Sequence, residues 1–156
     1  MDFFGEADPR LMPKHLFWNC KQLDFATALR ADIGEQNYSV CPRHWYVDAK
    51  ISCAECASDF CFTAEEQKNW YERQKFWISS FPKRCKNCQQ KIRRQKSLMR
   101  EFYLGISEAL ETSDTPMKQH LVNIVDEYES LVTRPPYAML ESRSELLKQI
   151  AGNAPE

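Results

Sequence analysis

The chain has little that could cross or insert into a membrane: its longest unbroken apolar stretch is four residues, Tyr137 to Leu140, against the roughly 20 that a membrane helix needs. Its start, MDFFGEADPR, carries acidic residues and no apolar region behind a basic head, so no secretion signal is expected. Internal repeats and low-complexity tracts are missing too, which speaks against a solenoid or a disordered linker protein. So is any arrangement suited to catalysis. His120 stands alone in a helical pattern with no nucleophile nearby, and Glu65 and Glu66 are accounted for by a helix N-terminus, whose dipole favours carboxylates. These absences predict a cytoplasmic, non-enzymatic protein with no membrane and no small-molecule substrate.

What is present describes a folded chain. Of 156 residues, 43% are hydrophobic, and Phe, Trp and Tyr number 9, 4 and 6, more than a disordered sequence carries. The formal charge of -1 conceals a division. Residues 51 to 100 hold eleven Lys and Arg against five Asp and Glu, whereas residues 101 to 156 hold four against ten. A basic middle joined to an acidic tail points to separate modules or to internal pairing of charge.

Cysteine is abundant, at seven. An odd count without an export signal favours thiols over disulfides, and therefore metal ligation as the use of the spaced pairs. Cys53 with Cys56 and Cys85 with Cys88 form two Cys-x-x-Cys pairs separated by 28 residues. Zinc takes four soft donors in a tetrahedron, so the two pairs predict one Zn²⁺ held by all four thiolates, structural because no position is left for water or substrate. Lys83, Arg84 and Lys86 flank the second pair, where cations offset the formal -2 of a zinc tetrathiolate. Cys41, His44, His15 and Cys20 could form a second metal site, but their spacing fits poorly, and Cys20, Cys41 and Cys61 read better as free thiols.

The elements divide the chain into an N-terminal arm (1–40), a metal-binding domain (41–94) and a C-terminal helical module (95–156). In the arm, Leu23, Ala26 and Leu29 recur at helical spacing and predict a short helix ending at Gly34. Alternation in HWYVDAKISC and DFCFT predicts short strands around the first cysteine pair, with Phe60 and Phe62 on one face. Thr63 and Glu66 have the spacing of a capping box, so a helix begins there and turns Trp70 and Tyr71 toward the strands, with Trp77 following. Further on, Ile92, Met99, Phe102, Tyr103, Ile106 and Leu110 trace a helix over about 89–112. Thr115 as N-cap and Pro116 as the first residue start another, with Leu121, Ile124, Val125, Tyr128, Leu131 and Val132 on its apolar side. Pro135 and Pro136 end it, and a last helix covers Tyr137 to Ile150, stopping at Gly152. The fold class is thus α+β: a small β-hairpin tetrathiolate ribbon with an inserted helix, then a bundle of about three helices.

Over about residues 44 to 94 these features resemble a family of small bacterial proteins, the probable zinc-ribbon domains. The resemblance rests on Tyr46 and Asp48, Cys53 and Cys56, the run Phe62-Thr63-Ala64-Glu65-Glu66-Gln67, the aromatic pair Trp70-Tyr71, and Lys83-Arg84-Cys85-Lys86-Asn87-Cys88. The chain departs from that pattern at Ala57 and Gln89, where the motif often has Gly and Arg. The resemblance implies a zinc ribbon and brings no activity with it.

The expected function is a macromolecular binding surface for a protein partner, of which an antitoxin-like or immunity-like protein covering a basic toxin is one form. The alternative is a nucleic-acid- or ribosome-associated ribbon. It would use the run Lys83, Arg84, Lys86, Lys91, Arg93, Arg94, Lys96 and Arg100, which contains no acidic residue, with Trp70, Tyr71 and Trp77 as stacking platforms.

Overall fold

The computed structural model describes residues 2, 4–18 and 20–152. The chain forms two compact units, Met1–Cys88 and Gln89–Glu156, each with its own hydrophobic core.

The first unit is built on a three-stranded antiparallel sheet in the order β1 (Gln22–Arg30), β2 (Trp45–Ser52) and β3 (Asp59–Phe62). The strand β1 replaces the short helix expected in the arm. Its pairing with β2 passes from Asp24↔Asp48 to Leu29↔Tyr46, so β1 carries three more residues than its partner across this stretch. The bulge is held by its own polar side chains: Asp24 accepts from the Ala26 amide at 3.0 Å, and the Thr27 hydroxyl donates to the Asp24 carbonyl and accepts from the Asp48 amide. Extra residues in a strand break its two-residue period. That is why Leu23, Ala26 and Leu29 imitate a helical stripe, although Ala26 is exposed: burial alternates from Leu23 through Phe25 to Thr27, and the alternation lapses at half-buried Ala28 and Leu29.

The expected strands of β2 and β3 are present, and the helix after them starts as its capping box dictates. Thr63 Oγ1 accepts from the Glu66 amide at 3.2 Å, and Glu66 Oε2 accepts from the Thr63 amide at 3.3 Å. Helix α1 (Ala64–Lys68) then widens into a π turn over Asn69–Arg73, so that Tyr71 and Glu72 are both buried. Tyr71 stacks on Tyr46 at 5.8 Å, and Phe62 and Trp18 complete an aromatic core. Trp77 lies beyond this helical segment and is exposed.

Within that core sits Arg43, 1% exposed. Its guanidinium lies 4.1 Å from the Trp18 ring centre and 5.1 Å from that of Tyr71. It donates to the carbonyl of Leu16 and, through Nε and Nη2 at 3.2 Å each, to that of Ile78. Burial disfavours the charge. Ring faces and carbonyl oxygens offset that cost.

The second unit is built from three helices, the first of which starts within the last three residues of the first unit. α2 (Lys86–Glu111) contributes Leu98, Phe102 and Ala109 to its core, α3 (Thr115–Leu131) contributes Leu121, Val122, Ile124, Val125 and Tyr128, and α4 (Tyr137–Gly152) contributes Met139 and Leu146. Two local readings are corrected. The N-cap of α3 is Asp114, whose Oδ1 accepts from the Met117 amide at 3.1 Å, one residue before the expected Thr115. A carboxylate is favoured there by the helix dipole. On α2 the buried stripe leans toward Leu98 and Ala109, leaving Tyr103 half exposed.

Arg43→Met would leave the Leu16 and Ile78 carbonyls without their charged donor and is expected to destabilise the first unit by about 3 kcal/mol or more. All four tryptophans lie in that unit. Urea unfolding followed by tryptophan fluorescence should therefore show a lower midpoint.

Candidate metal centre

The first pair of cysteines closes the turn between β2 and β3. Cys53 donates its amide to the Ser58 carbonyl at 2.8 Å and accepts on its own carbonyl from Ala57 at 3.0 Å. This knuckle needs a left-handed residue at its end, and Ala57 takes that conformation, with φ of 59°. A side chain there costs on the order of 1 kcal/mol relative to glycine, which the knuckle tolerates.

The second pair is delivered by a helix. Cys85 directly precedes α2 and Cys88 lies in its first turn, so the helix begins inside the motif and three residues before its expected start near 89. The Ala54 amide donates to the Lys83 carbonyl at 2.8 Å, tying the knuckle to the segment that leads into the helix.

The four Sγ atoms of Cys53, Cys56, Cys85 and Cys88 all lie within 4.8 Å of one another. The Cys56 and Cys85 sulfurs are 3.8 Å apart. A tetrahedron with Zn–S bonds of about 2.3 Å has edges of about 3.8 Å, so the cluster has the size that zinc requires. These residues hold one structural zinc. Bound there, Zn²⁺ supplies charge neutralisation and a cross-link, and its sulfur shell leaves no position for a reacting ligand.

Backbone groups prepare the ligands. The Cys56 amide pulls the Cys53 thiol down to about 6, burial opposes it, and the amides of Cys85 and Glu55 reinforce the pull. These last two approach the Cys53 sulfur at 3.3 and 3.4 Å. Cys88, hydrogen-bonded to Cys85 and surrounded by the other sulfurs, is pushed up to about 12. Four thiolates cannot share so small a volume until a cation joins them.

The surrounding side chains of the resembled motif acquire definite roles. Asp48 Oδ1 accepts from the Ala64 amide at 2.7 Å and so holds the N-terminus of α1. Gln67, buried at 1% exposure, donates through Nε2 to the carbonyls of Val47 at 2.6 Å and Phe62 at 2.8 Å, fastening α1 to both strands of the hairpin. The sequence displays Gln67 and Arg43 but assigns them no task. Their polarity in an apolar setting is the signal, and it becomes readable only once burial is known.

The basic run is dispersed. Lys83, Arg84 and Lys86 belong to the first unit, and Lys91, Arg93, Arg94, Lys96 and Arg100 to the second. Arg84 pairs with Glu55 at 3.2 Å and Lys86 with Glu66 at 2.5 Å. Arg94 makes two bonds of 2.6 Å to Glu127. The side chains of Lys83, Lys91, Arg93, Lys96 and Arg100 are exposed. Tyr71 is fully buried and cannot act as a stacking platform, while Trp70 is covered in part by Phe76 at 4.4 Å and Phe62 at 5.8 Å. Adjacent aromatics at the end of a helix that faces a sheet belong to the core first. Among the described residues the four cysteines are the only His, Cys, Asp and Glu group close enough to hold a metal. His15, Cys20, Cys41 and His44 are not brought together as one, and Cys41 and His44 are instead buried around Arg43 in sequence.

Replacing Cys53 or Cys88 by Ser should remove zinc and unfold the first unit, measured by metal content and tryptophan fluorescence. Because Cys88 is protonated at neutral pH without metal and Cys53 becomes protonated as pH falls through about 6, zinc loading should release protons. Apparent zinc affinity should therefore weaken steadily on acidification. A competition titration against a chelator at several pH values checks this.

A search against known families matches residues 47–97 to the model of a family described as a probable treble clef domain. No curated protein and no solved structure matches the chain. The geometry agrees with the family match, since a knuckle, a hairpin and the first turn of a helix together supply the ligands. The match over residues 47–97 and the four clustered cysteines together support a structural zinc-binding treble clef domain, consistent with the resemblance to a zinc ribbon.

Proposed function

We propose that the chain is a non-enzymatic binding protein, in which zinc builds a scaffold and the partner is another protein. The observation that carries this reading is a group of large apolar side chains held outward on the first unit. Tyr38, Val40, Phe76 and Trp77 are all exposed, Val40 at 88% and Trp77 at 57%. The two segments bearing them are joined: Asn37 bridges to Trp77, the Ile78 amide donates to the Asn37 carbonyl at 3.1 Å, and Asn37 Nδ2 donates to the Lys75 carbonyl at 2.5 Å. Lys75 adopts a left-handed φ of 59° and pairs with Glu35. Aromatic side chains on a braced backbone are the usual anchors of protein interfaces, because they bury much area while losing little conformational freedom.

An antitoxin-like or immunity-like role would draw on the acidic residues of 101–156. Glu101, Asp126, Glu127 and Glu145 are already paired within their own unit. The aromatic group is therefore the stronger basis for partner binding.

A second reading, binding of nucleic acid, is favoured by the exposed cations Lys91, Arg93, Lys96 and Arg100 on α2. If it holds, affinity for a generic RNA falls steeply with salt, and Arg93→Gln with Lys96→Gln flattens the slope.

The deciding experiment is capture from the native host with the full chain and with a Tyr38→Ser/Trp77→Ser variant that retains zinc. The protein reading expects a specific partner that the variant fails to hold. Equal capture by both would refute it.

A further inference from the structure

The outward side of α2 carries an ordered pattern that the protein-partner reading does not use. Arg93, Ser97, Arg100, Leu104, Ser107 and Glu111 follow one another in steps of four and three residues, the spacing that keeps a seam on one side of a helix. All six are exposed, and so are Lys96 and Glu108 beside them. Leu104 is 75% exposed and the neighbouring Tyr103 50%. Every one of these residues lies in the second unit. Among the described residues, Arg93, Lys96, Arg100, Glu108 and Glu111 have no ion pair within the chain, whereas Arg94, turned toward α3, is engaged by Glu127.

The charges are sorted: cations occupy the N-terminal half of the seam, Leu104 follows them, and carboxylates occupy the C-terminal end. A helix laid antiparallel on this seam meets it in reverse order. With the twofold axis at the level of Phe102, Arg93 faces Glu111, Ser97 faces Ser107 and Arg100 faces Leu104, while Lys96 and Glu108 flank the seam on its two sides. Each contact then occurs twice, as an isologous interface demands. The small serines allow close approach over a seam of about 27 Å.

We propose that two copies of this chain associate by antiparallel pairing of α2 through this seam. A second copy is the occupant that the charge order selects. A polyanion would be attracted by Arg93, Lys96 and Arg100 but repelled by Glu108 and Glu111 on the same side. This surface is separate from the aromatic group of the first unit, so either idea can fail alone.

The test is sedimentation of the zinc-loaded full chain. At low salt the wild-type chain should pass from the monomer mass to twice that mass as concentration rises, and added salt should reverse the shift. The Arg93→Glu/Lys96→Glu variant and the Glu108→Lys/Glu111→Lys variant should each weaken self-association at least tenfold. Mixed in equal amounts they should pair, because positions 93 and 111 are then of opposite sign at both ends of the seam. Helix content and zinc content confirm that both variants fold, and Leu104→Arg offers a further change at the seam that should also weaken the dimer. A wild-type chain that stays monomeric throughout, a dimer indifferent to both charge reversals, or reversed chains that fail to pair on mixing would overturn the proposal. So would a monomer that binds a generic RNA oligonucleotide through Arg93 and Lys96.

Discussion

Four sulfur atoms within 4.8 Å of one another are the constraint on which the first unit depends. Left to themselves they repel as thiolates, and their protons are unevenly held: backbone amides lower the Cys53 thiol, while a hydrogen bond to Cys85 and burial raise that of Cys88. A divalent ion turns the repulsion into a cross-link between the knuckle after β2 and the first turn of α2. The hairpin it secures is small, with only four residues in β3, and a hairpin of that size is marginal without a third element or a metal.

Around the metal, polar side chains do the fastening that a larger core would otherwise do. Asp48, Thr63 and Glu66 satisfy amides at the start of α1, and Gln67 satisfies two strand carbonyls from the buried side of the same helix. Arg43 is an unusual centre for a core, yet its surroundings explain it. Aromatic rings on its faces and carbonyl oxygens at its edge replace the water it lost. Loss of one partner in such a network leaves others buried and unsatisfied, so these residues act as a group.

The proposed binding role draws on what the scaffold displays. A closed sulfur shell offers no reactive position, while Tyr38, Val40, Phe76 and Trp77 are displayed on one unit and a sorted charge seam on the other. The partition of charge along the chain has a local meaning: Arg94 of the basic run and Glu127 of the acidic tail meet within a single unit.

The metal ligands, β2, β3, the capping box and the three later helices were legible in the sequence, because each depends on spacing or on contacts a few residues apart. Two Cys-x-x-Cys pairs and Thr63 with Glu66 are signals of that kind. What the tertiary structure alone decided came from distant partners. The strand β1 exists because β2 offers it an edge, and its bulge disguised the period. Tyr71 is core and Trp77 is surface because a π turn ends the helical segment between them, which no local propensity announces. Arg43 could be assigned only after folding had enclosed it, since the same residue on a surface would be an ordinary solvated cation.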